Sequence, residues 1–395
     1  MAALLDSVVI VGMARTPMGV MQGALSSCTA PDLGAAAITG ALRNGGLEAG
    51  QVSDVIMGCV LPAGIGQAPA RQAALKAGLS ASVCTTTVNK VCGSGMKAVM
   101  QGVDAIRCGS ATVVVAGGME SMTNAPHMLA KARQGYRLGH GELLDHMFTD
   151  GLQDAYSGVL MGVFAEATAE KYDFTRKAQD VFALESLRRA RLAVDEGYFK
   201  QEITPITIDG RKGAVTVDAD ESITAARPDK IPELKPAFKT GGTVTAANAS
   251  SIADGAAALL LMSKSEALAR GLAPLAEIKA YTEFAQAPEW FTTAPVGAIN
   301  KVLAQSEWAI DDVDLFEINE AFAVVTMAAI HDLGLDANKV NVRGGACALG
   351  HPLGASGARI IVTLIAALQS KKQKRGVASL CIGGGEATAI ALELL

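Results

Sequence analysis

The feature that most limits what this chain can build is a repeated pattern. Thr112-Val113-Val114-Val115-Ala116-Gly117-Gly118-Met119-Glu120 parallels Ala378-Ser379-Leu380-Cys381-Ile382-Gly383-Gly384-Gly385-Glu386. Each is an apolar run that ends in a glycine cluster and a glutamate. Unbroken apolar runs fit strands covered on both faces, because a sheet with one wet face alternates apolar with polar residues. Two copies far apart in the sequence imply two similar halves. Val8 to Val11, Val55 to Met57, Leu259 to Met262 and Leu315 to Ile318 are further runs of this kind, separated by alanine-rich segments of helical spacing. The expectation is an α/β protein whose helices cover its sheets from both sides.

A chain of 395 residues, half of them hydrophobic, has room for two or three domains and a large core. Only 4% of it is aromatic and 42 residues are glycine, which suits closely packed layers joined by many turns. No unbroken apolar run reaches the roughly 18 to 20 residues of a membrane span. A formal charge of -5 argues against nucleic acid as a partner, since that role needs a basic surface. The seven cysteines are scattered and odd in number, without a disulfide framework or the paired spacing of a zinc site. A reducing, cytoplasmic setting without a bound metal is expected. Few residues precede Val8, and no export or transit segment is read there.

Cys92 lies in Asn89-Lys90-Val91-Cys92-Gly93-Ser94-Gly95-Met96-Lys97, after which Met96, Val99, Met100, Val103 and Ile106 recur at helical spacing. The cysteine is therefore expected at or just before a helix N-terminus, where the dipole favours thiolate. Taken alone, the same cysteine also fits an inert buried thiol beside a tight turn. Two further segments bear on the choice: Gly344-Gly345-Ala346-Cys347-Ala348-Leu349-Gly350-His351-Pro352-Leu353-Gly354-Ala355-Ser356-Gly357, and the Cys381 segment with its glycines.

At these motifs, and at Asn319-Glu320-Ala321-Phe322-Ala323, the sequence closely resembles the thiolase family, acetyl-CoA C-acetyltransferases in particular. The motifs occur in the family's order and at comparable spacing, and the resemblance covers essentially the whole chain. It implies duplicated αβαβα halves in a layered core: residues 1–122, completed by about 251–273, and residues 274–395, with 123–250 as an inserted CoA-binding loop domain. It implies reversible CoA-dependent cleavage of 3-oxoacyl-CoA, and condensation of two acyl-CoA, through an acyl-Cys92 intermediate. In these terms His351 is the base for Cys92 and Cys381 the second acid/base. One oxyanion hole combines His351 with a water held by Asn319, and the other uses the N–H groups of Cys92 and Gly383. Ser250, Met161, Leu160, Ala321 and Phe322 are the pantetheine-side candidates, and Arg227 is the candidate for the nucleotide end. Coenzyme A and acyl-CoA enter as substrates, with no tightly bound cofactor expected, and no phosphate-cradling glycine motif for ATP or a dinucleotide is present. The resemblance also implies a homo-oligomer, a dimer or a dimer of dimers (homotetramer), and a place in fatty acid metabolism.

Other condensing enzymes of the broad superfamily carry a histidine or glutamate where this chain has Cys381. A non-catalytic acyl carrier or thiol sensor would be expected to lose one of Cys92, Asn319, His351 or Cys381, and all four are present. Some positions stand apart. Leu160 replaces a histidine of many short-chain relatives, and Trp290 with Phe291 is expected to border the acyl site. Cys347 reads as packing, and His127, His140 and His146 read as surface or loop residues. The charge runs Arg188-Arg189-Ala190-Arg191, Gly210-Arg211-Lys212-Gly213 and Asp218-Ala219-Asp220-Glu221 read as solvated faces. The charge of Glu386 has no explanation at this level.

Overall fold

The computed structural model describes residues 6–210 and 213–395. Met1 to Leu5, and Arg211 with Lys212 of one charge run, lie outside the described residues. A ten-stranded sheet is the spine of the molecule. Its main path runs Leu315–Ile318, Arg375–Ile382, Glu386–Leu394, Ala276–Ala285, Val8–Arg15, Ala253–Ser263, Val113–Ser121, Asp54–Gly58, Cys84–Val88, with Gly19–Val20 pairing from the side. The two wings meet where Val9 pairs with Glu277 and Ile10 with Ala276.

Both wings follow one pairing scheme. Val113–Ser121 lies parallel to Asp54–Gly58 and antiparallel to Ala253–Ser263; Arg375–Ile382 lies parallel to Leu315–Ile318 and antiparallel to Glu386–Leu394. The duplication expected from the repeat is present in the topology, but its register differs from the sequence match. Parallel pairing ends at Gly58 with Gly118 in one wing and at Ile318 with Ser379 in the other. Antiparallel pairing ends at Ser121 with Asp254 and at Ile382 with Glu386. Both edges set Ser121 level with Ile382, and therefore Glu120 level with Cys381, not with Glu386. The first run stays in the sheet through its glycines, whereas the second leaves it at Ile382 and turns through Gly383-Gly384-Gly385. Similar glycine clusters serve two geometries. In the straight copy, a Cβ on Gly118 would stand 1.9 Å from the Gly354 carbonyl oxygen, so only glycine admits that neighbour.

Two helices, Ser94–Arg107 and Leu353–Lys371, pack on each other and on strands of both wings. The second is buried without interruption from Leu353 to Leu368, as a helix enclosed on all sides must be. By length and composition it could cross a membrane, with a mean hydropathy of 1.4, although Ser356, Arg359 and Thr363 interrupt its apolar residues. Here 89% of that window is buried inside the protein. Outer helices close the layers: Ala30–Gly45 covers the first wing and Ala294–Ser306 the second. The first of these starts at a capping box between Thr29 and Asp32 and stops at Gly46, whose φ of 66° is left-handed.

Between Ser121 and Ala253 the chain leaves the sheet and forms the helices Met161–Lys171 and Arg176–Asp195, among other elements. The charge runs there are not simply solvated. Asp220 is buried and pairs with the buried Arg15 at 2.7 Å, and Arg15 pairs with Glu202 at 2.8 Å. Arg189 donates to the Val340 carbonyl at 2.5 Å. Three strands lacked a clear signal in the sequence. Ala276–Ala285 and Glu386–Leu394 are rich in small alanines, and Cys84–Val88 is a threonine-rich edge strand with no fully buried residue.

Candidate active site

The Ser94–Arg107 helix starts two residues beyond Cys92, as its apolar spacing implies. The turn before it is strained, because the β-branched Val91 takes a φ of 46°. Local hydrogen bonds hold it there. The Val91 N–H donates to Asn89 Oδ1 at 3.0 Å, and Ser94 Oγ donates to the Val91 carbonyl at 2.6 Å. The Lys90 N–H in turn donates to Ser94 Oγ at 2.8 Å. Gly93 lets this turn lie directly on the other wing, since a Cβ there would stand 2.4 Å from Ile382 Cδ1. Cys92 is thereby set beside Gly383.

His351 just precedes the long central helix, and its N–H donates to the Ser251 carbonyl at 3.0 Å. Its Nδ1 lies 2.5 Å from Ser356 Oγ, and that hydroxyl donates to the Pro352 carbonyl at 2.9 Å. The serine proton being committed, Nδ1 carries the imidazole proton and Nε2 presents a bare lone pair. Nε2 is buried and has no hydrogen-bond partner among the described residues. Asn319 is similarly placed. Its Oδ1 accepts from Arg359 at 3.4 Å, while its Nδ2 is buried and has no partner among the described residues. Cys381 is fully buried in a cluster with Ala249, Phe291, Ala321 and Phe322.

A cavity of about 360 Å³ opens over these groups. Cys92, His351 and Gly383 line it together with Leu160, Met161, Ser250, Ala321, Phe322 and Phe291. Eight of the sequence-derived candidates are thus brought to one place, with Cys381 and Asn319 behind its lining. Arg227 is not among the lining residues; it is exposed and pairs with Asp229 at 3.2 Å. Of the aromatic pair expected at the acyl site, Phe291 lines the cavity, whereas Trp290 packs under the Lys171 ammonium at 4.3 Å.

Burial decides the protonation states. It pushes the Cys92 thiol up to about 11, against the opposing pull of the N–H groups of Gly383 and Cys92 itself. It lowers His351 to about 3, with the Arg359 charge adding to the effect. Cys381 is raised well above the ordinary thiol value, first by burial and then by Cys92. The resting pair is therefore a thiol and a neutral imidazole, and the expected thiolate is corrected: desolvation outweighs a helix terminus. This pair can pass a proton when a substrate carbonyl arrives, and the two N–H groups near the sulfur are suited to a developing oxyanion.

The supporting roles of several groups could not be read from the sequence. Ser356 and Arg359 look like ordinary members of a helix. Glu120 accepts the N–H groups of Val60, Leu61 and Gly354 at 2.9, 3.0 and 2.8 Å, and burial pushes its pKa up to about 7. Glu386, unexplained in the sequence, forms an ion pair with Lys90. Cys347 sits against Glu320, its N–H donating to the carboxylate at 3.1 Å. His146 is buried and pairs with Asp150 at 2.6 Å, so it is not the surface residue expected, whereas His127 and His140 are exposed.

Comparison with known proteins agrees with this geometry. Residues 8–265 match the family described as "Thiolase, N-terminal domain", and residues 272–394 match "Thiolase, C-terminal domain". Acetyl-CoA acetyltransferase 2 of Arabidopsis thaliana is 52% identical over 98% of this chain and 97% of its own length. The acetyl-CoA acetyltransferase of Pseudomonas aeruginosa is 50% identical over 98% of this chain and 99% of its own length. The crystal structure of the Bacillus anthracis acetyl-CoA acetyltransferase superposes with a TM-score of 0.97 at 41% identity, covering 99% of each chain. A thiolase from Ascaris suum, crystallised in complex with coenzyme A, superposes with a TM-score of 0.94 at 42% identity over 99% of this chain and 100% of its own. With the sheet, the two central helices and the motif residues all in place, the chain belongs to the thiolase family.

Proposed function

We propose that this protein is an acetyl-CoA C-acetyltransferase that works by ping-pong exchange through an acyl-Cys92 intermediate. The observation that carries the reading is the meeting of Cys92, His351 and Gly383 on one largely apolar cavity, with Cys381 buried behind it. His351 Nε2 takes the Cys92 proton as the sulfur attacks the thioester carbonyl, then returns it to the departing CoA sulfur. The acyl oxygen rests on the N–H groups of Cys92 and Gly383. In condensation, Cys381 removes a proton alpha to the second thioester, and the resulting carbanion displaces the Cys92 sulfur. Cleavage runs the same steps backward, with Cys381 as the proton donor. Its raised pKa favours the thiol, the form this donor role needs. His351 and a water held by the Asn319 amide carry the enolate oxygen.

Leu160, Met161, Ser250, Ala321 and Phe322 hold the pantetheine arm in this reading, and Arg227 takes part at the nucleotide end. Residues 123–250 act as the CoA-holding segment between two halves, 1–122 with about 251–273 and 274–395. Coenzyme A is exchanged as substrate, and no tightly bound cofactor is used. A homo-oligomer, a dimer or dimer of dimers, working in the cytoplasm on acyl-CoA of fatty acid metabolism completes the proposal. Seven free cysteines, one of them the nucleophile, suit a reducing compartment. The test is CoA-dependent cleavage of a series of 3-oxoacyl-CoA thioesters, beginning with acetoacetyl-CoA. Turnover that stops when CoA is withheld is expected; no loss of acetoacetyl-CoA in the presence of CoA would overturn the reading.

A further inference from the structure

We propose that Lys90 and Glu386 form a positioning clamp, which holds the Cys92 turn of one wing against the Gly383 turn of the other and so keeps the two N–H groups near the Cys92 sulfur in register. The inference rests on the ping-pong reading above. Lys90 stands two residues before Cys92, and Glu386 stands three residues beyond Gly383. Their ion pair joins the two turns directly. Glu283, on the strand beside Glu386, reinforces it: its Oε1 lies 3.1 Å from Lys90 Nζ and its Oε2 lies 2.9 Å from Lys97 Nζ. Burial works against the Lys90 ammonium, yet hydrogen bonds to Glu386 and Glu283 keep its pKa above the ordinary lysine value.

The turns need such a tie. Val91, between Lys90 and Cys92, is held at a φ of 46°, a conformation that relaxes unless its surroundings fix it. Gly93 meets Ile382 with no side chain of its own, so the contact there has little to interlock. On the other side Gly384 and Gly385 have φ of 92° and 90°, and the turn they form has no Cβ to brace it. Lys90 ties the strained turn to the first residue after this glycine turn. The pair is partly exposed, with side-chain exposures of 20% and 39%, so it adds little to overall stability. Its effect falls on geometry, to which acyl transfer is sensitive at the scale of an ångström.

The test measures acetyl transfer from acetyl-CoA to Cys92 under single-turnover conditions, together with steady-state cleavage of acetoacetyl-CoA and thermal unfolding. Glu386→Gln and Lys90→Met should each slow Cys92 acetylation by about 5- to 30-fold, while KM for CoA and the unfolding temperature stay near wild type. The double variant should lose no more than either single one. Raising salt should slow the wild type toward the variants and leave the variants unchanged. Lys90→Arg, which keeps a cation facing both Glu386 and Glu283, should retain most of the rate that Lys90→Met loses. Acetylation within twofold of wild type in Glu386→Gln, or multiplicative losses in the double variant, would overturn the clamp. A wild-type protein that forms no acetyl-Cys92 would overturn the ping-pong reading and the clamp with it, whereas normal wild-type turnover with unaffected variants would sink the clamp alone.

Discussion

At matching heights in the two wings stand different residues: Glu120 in the first is level with Cys381 in the second. Just past the parallel pairing, Cys59 in the first wing corresponds to Asn319 in the second. The first pair is committed internally. Glu120 accepts three backbone N–H groups and lies 3.7 Å from Cys59 Sγ, so no polar capacity is left for a visitor. The second pair is uncommitted, with Cys381 packed among apolar side chains and Asn319 Nδ2 unpartnered. One architecture, used twice, therefore gives a wing that braces and a wing that reacts. The bracing crosses over, because Glu120 holds the Gly354 N–H at the start of the helix that follows His351.

The sharpest way to break this comparison is to remove the two sulfurs separately. Cys92→Ala should lose acyl-enzyme formation by at least ~10⁴-fold, whereas Cys381→Ala should still acetylate and fail in carbon–carbon bond chemistry. Mass spectrometry after mixing with acetyl-CoA reads the first defect and acetoacetyl-CoA cleavage the second; stable acetylation of Cys92→Ala at the stoichiometry of the wild type would remove the assignment.

Next in size is a pH effect. With the Cys92 thiol at about 11 in the free protein, the thiolate fraction rises about tenfold per pH unit, so iodoacetamide labelling should climb ~10³-fold from pH 7 to pH 10. Peptide mapping of alkylated Cys92 would follow it. A plateau below pH 8 would reinstate the thiolate that desolvation is held here to suppress.

The bracing role of Glu120 gives a smaller effect, on stability. Glu120→Ala leaves three buried N–H groups without an acceptor and should cost about 3 kcal/mol or more, measured by the denaturant midpoint. Cys381→Ala, at the matching height, should cost less than about 1.5 kcal/mol. Equal costs would mean that the two wings are not divided as described.

The smallest effect concerns the cavity mouth. Leu160 lines the cavity at a position where the resemblance to short-chain thiolases implies a histidine, so the protein should accept acyl groups somewhat larger than acetyl. Each buried methylene is worth roughly 0.8 kcal/mol, so Leu160→His should shift preference toward acetoacetyl-CoA by about fourfold per methylene. The ratio of kcat/KM for acetoacetyl-CoA to that for 3-oxohexanoyl-CoA and for 2-methylacetoacetyl-CoA measures it, and an unchanged ratio in both comparisons would show Leu160 to be packing alone.

What the sequence disclosed follows the physics of each signal. Val8–Arg15 and Val113–Ser121 stood out because strands covered on both faces must be apolar throughout. Ala276–Ala285 did not, since its buried Ala276, Ile278, Ala280 and Thr282 alternate with Glu277, Lys279, Tyr281 and Glu283 and so form no unbroken apolar run. Cys92, His351 and Cys381 were singled out because their glycine-bracketed motifs resemble those of thiolases; taken alone, the context of Cys92 fits an inert thiol as well. Glu120 and Ser356 were not, because a residue that works by accepting one particular N–H is defined by a partner far away in sequence. Protonation was misread for a related reason: the apolar spacing revealed the helix start beside Cys92, but not the depth at which the sulfur lies.

The Leu353–Lys371 segment is made after every strand and helix of the first wing that it touches. Until it is in place, the surfaces of the Ser94–Arg107 helix and of the strands Val113–Ser121 and Ala253–Ser263 on which it packs lack this cover. A chain that lacks its last helix is thus expected to expose apolar surface and to aggregate readily. The helix that covers both wings also follows directly on His351, so the cover of the core and the seat of the imidazole belong to one segment.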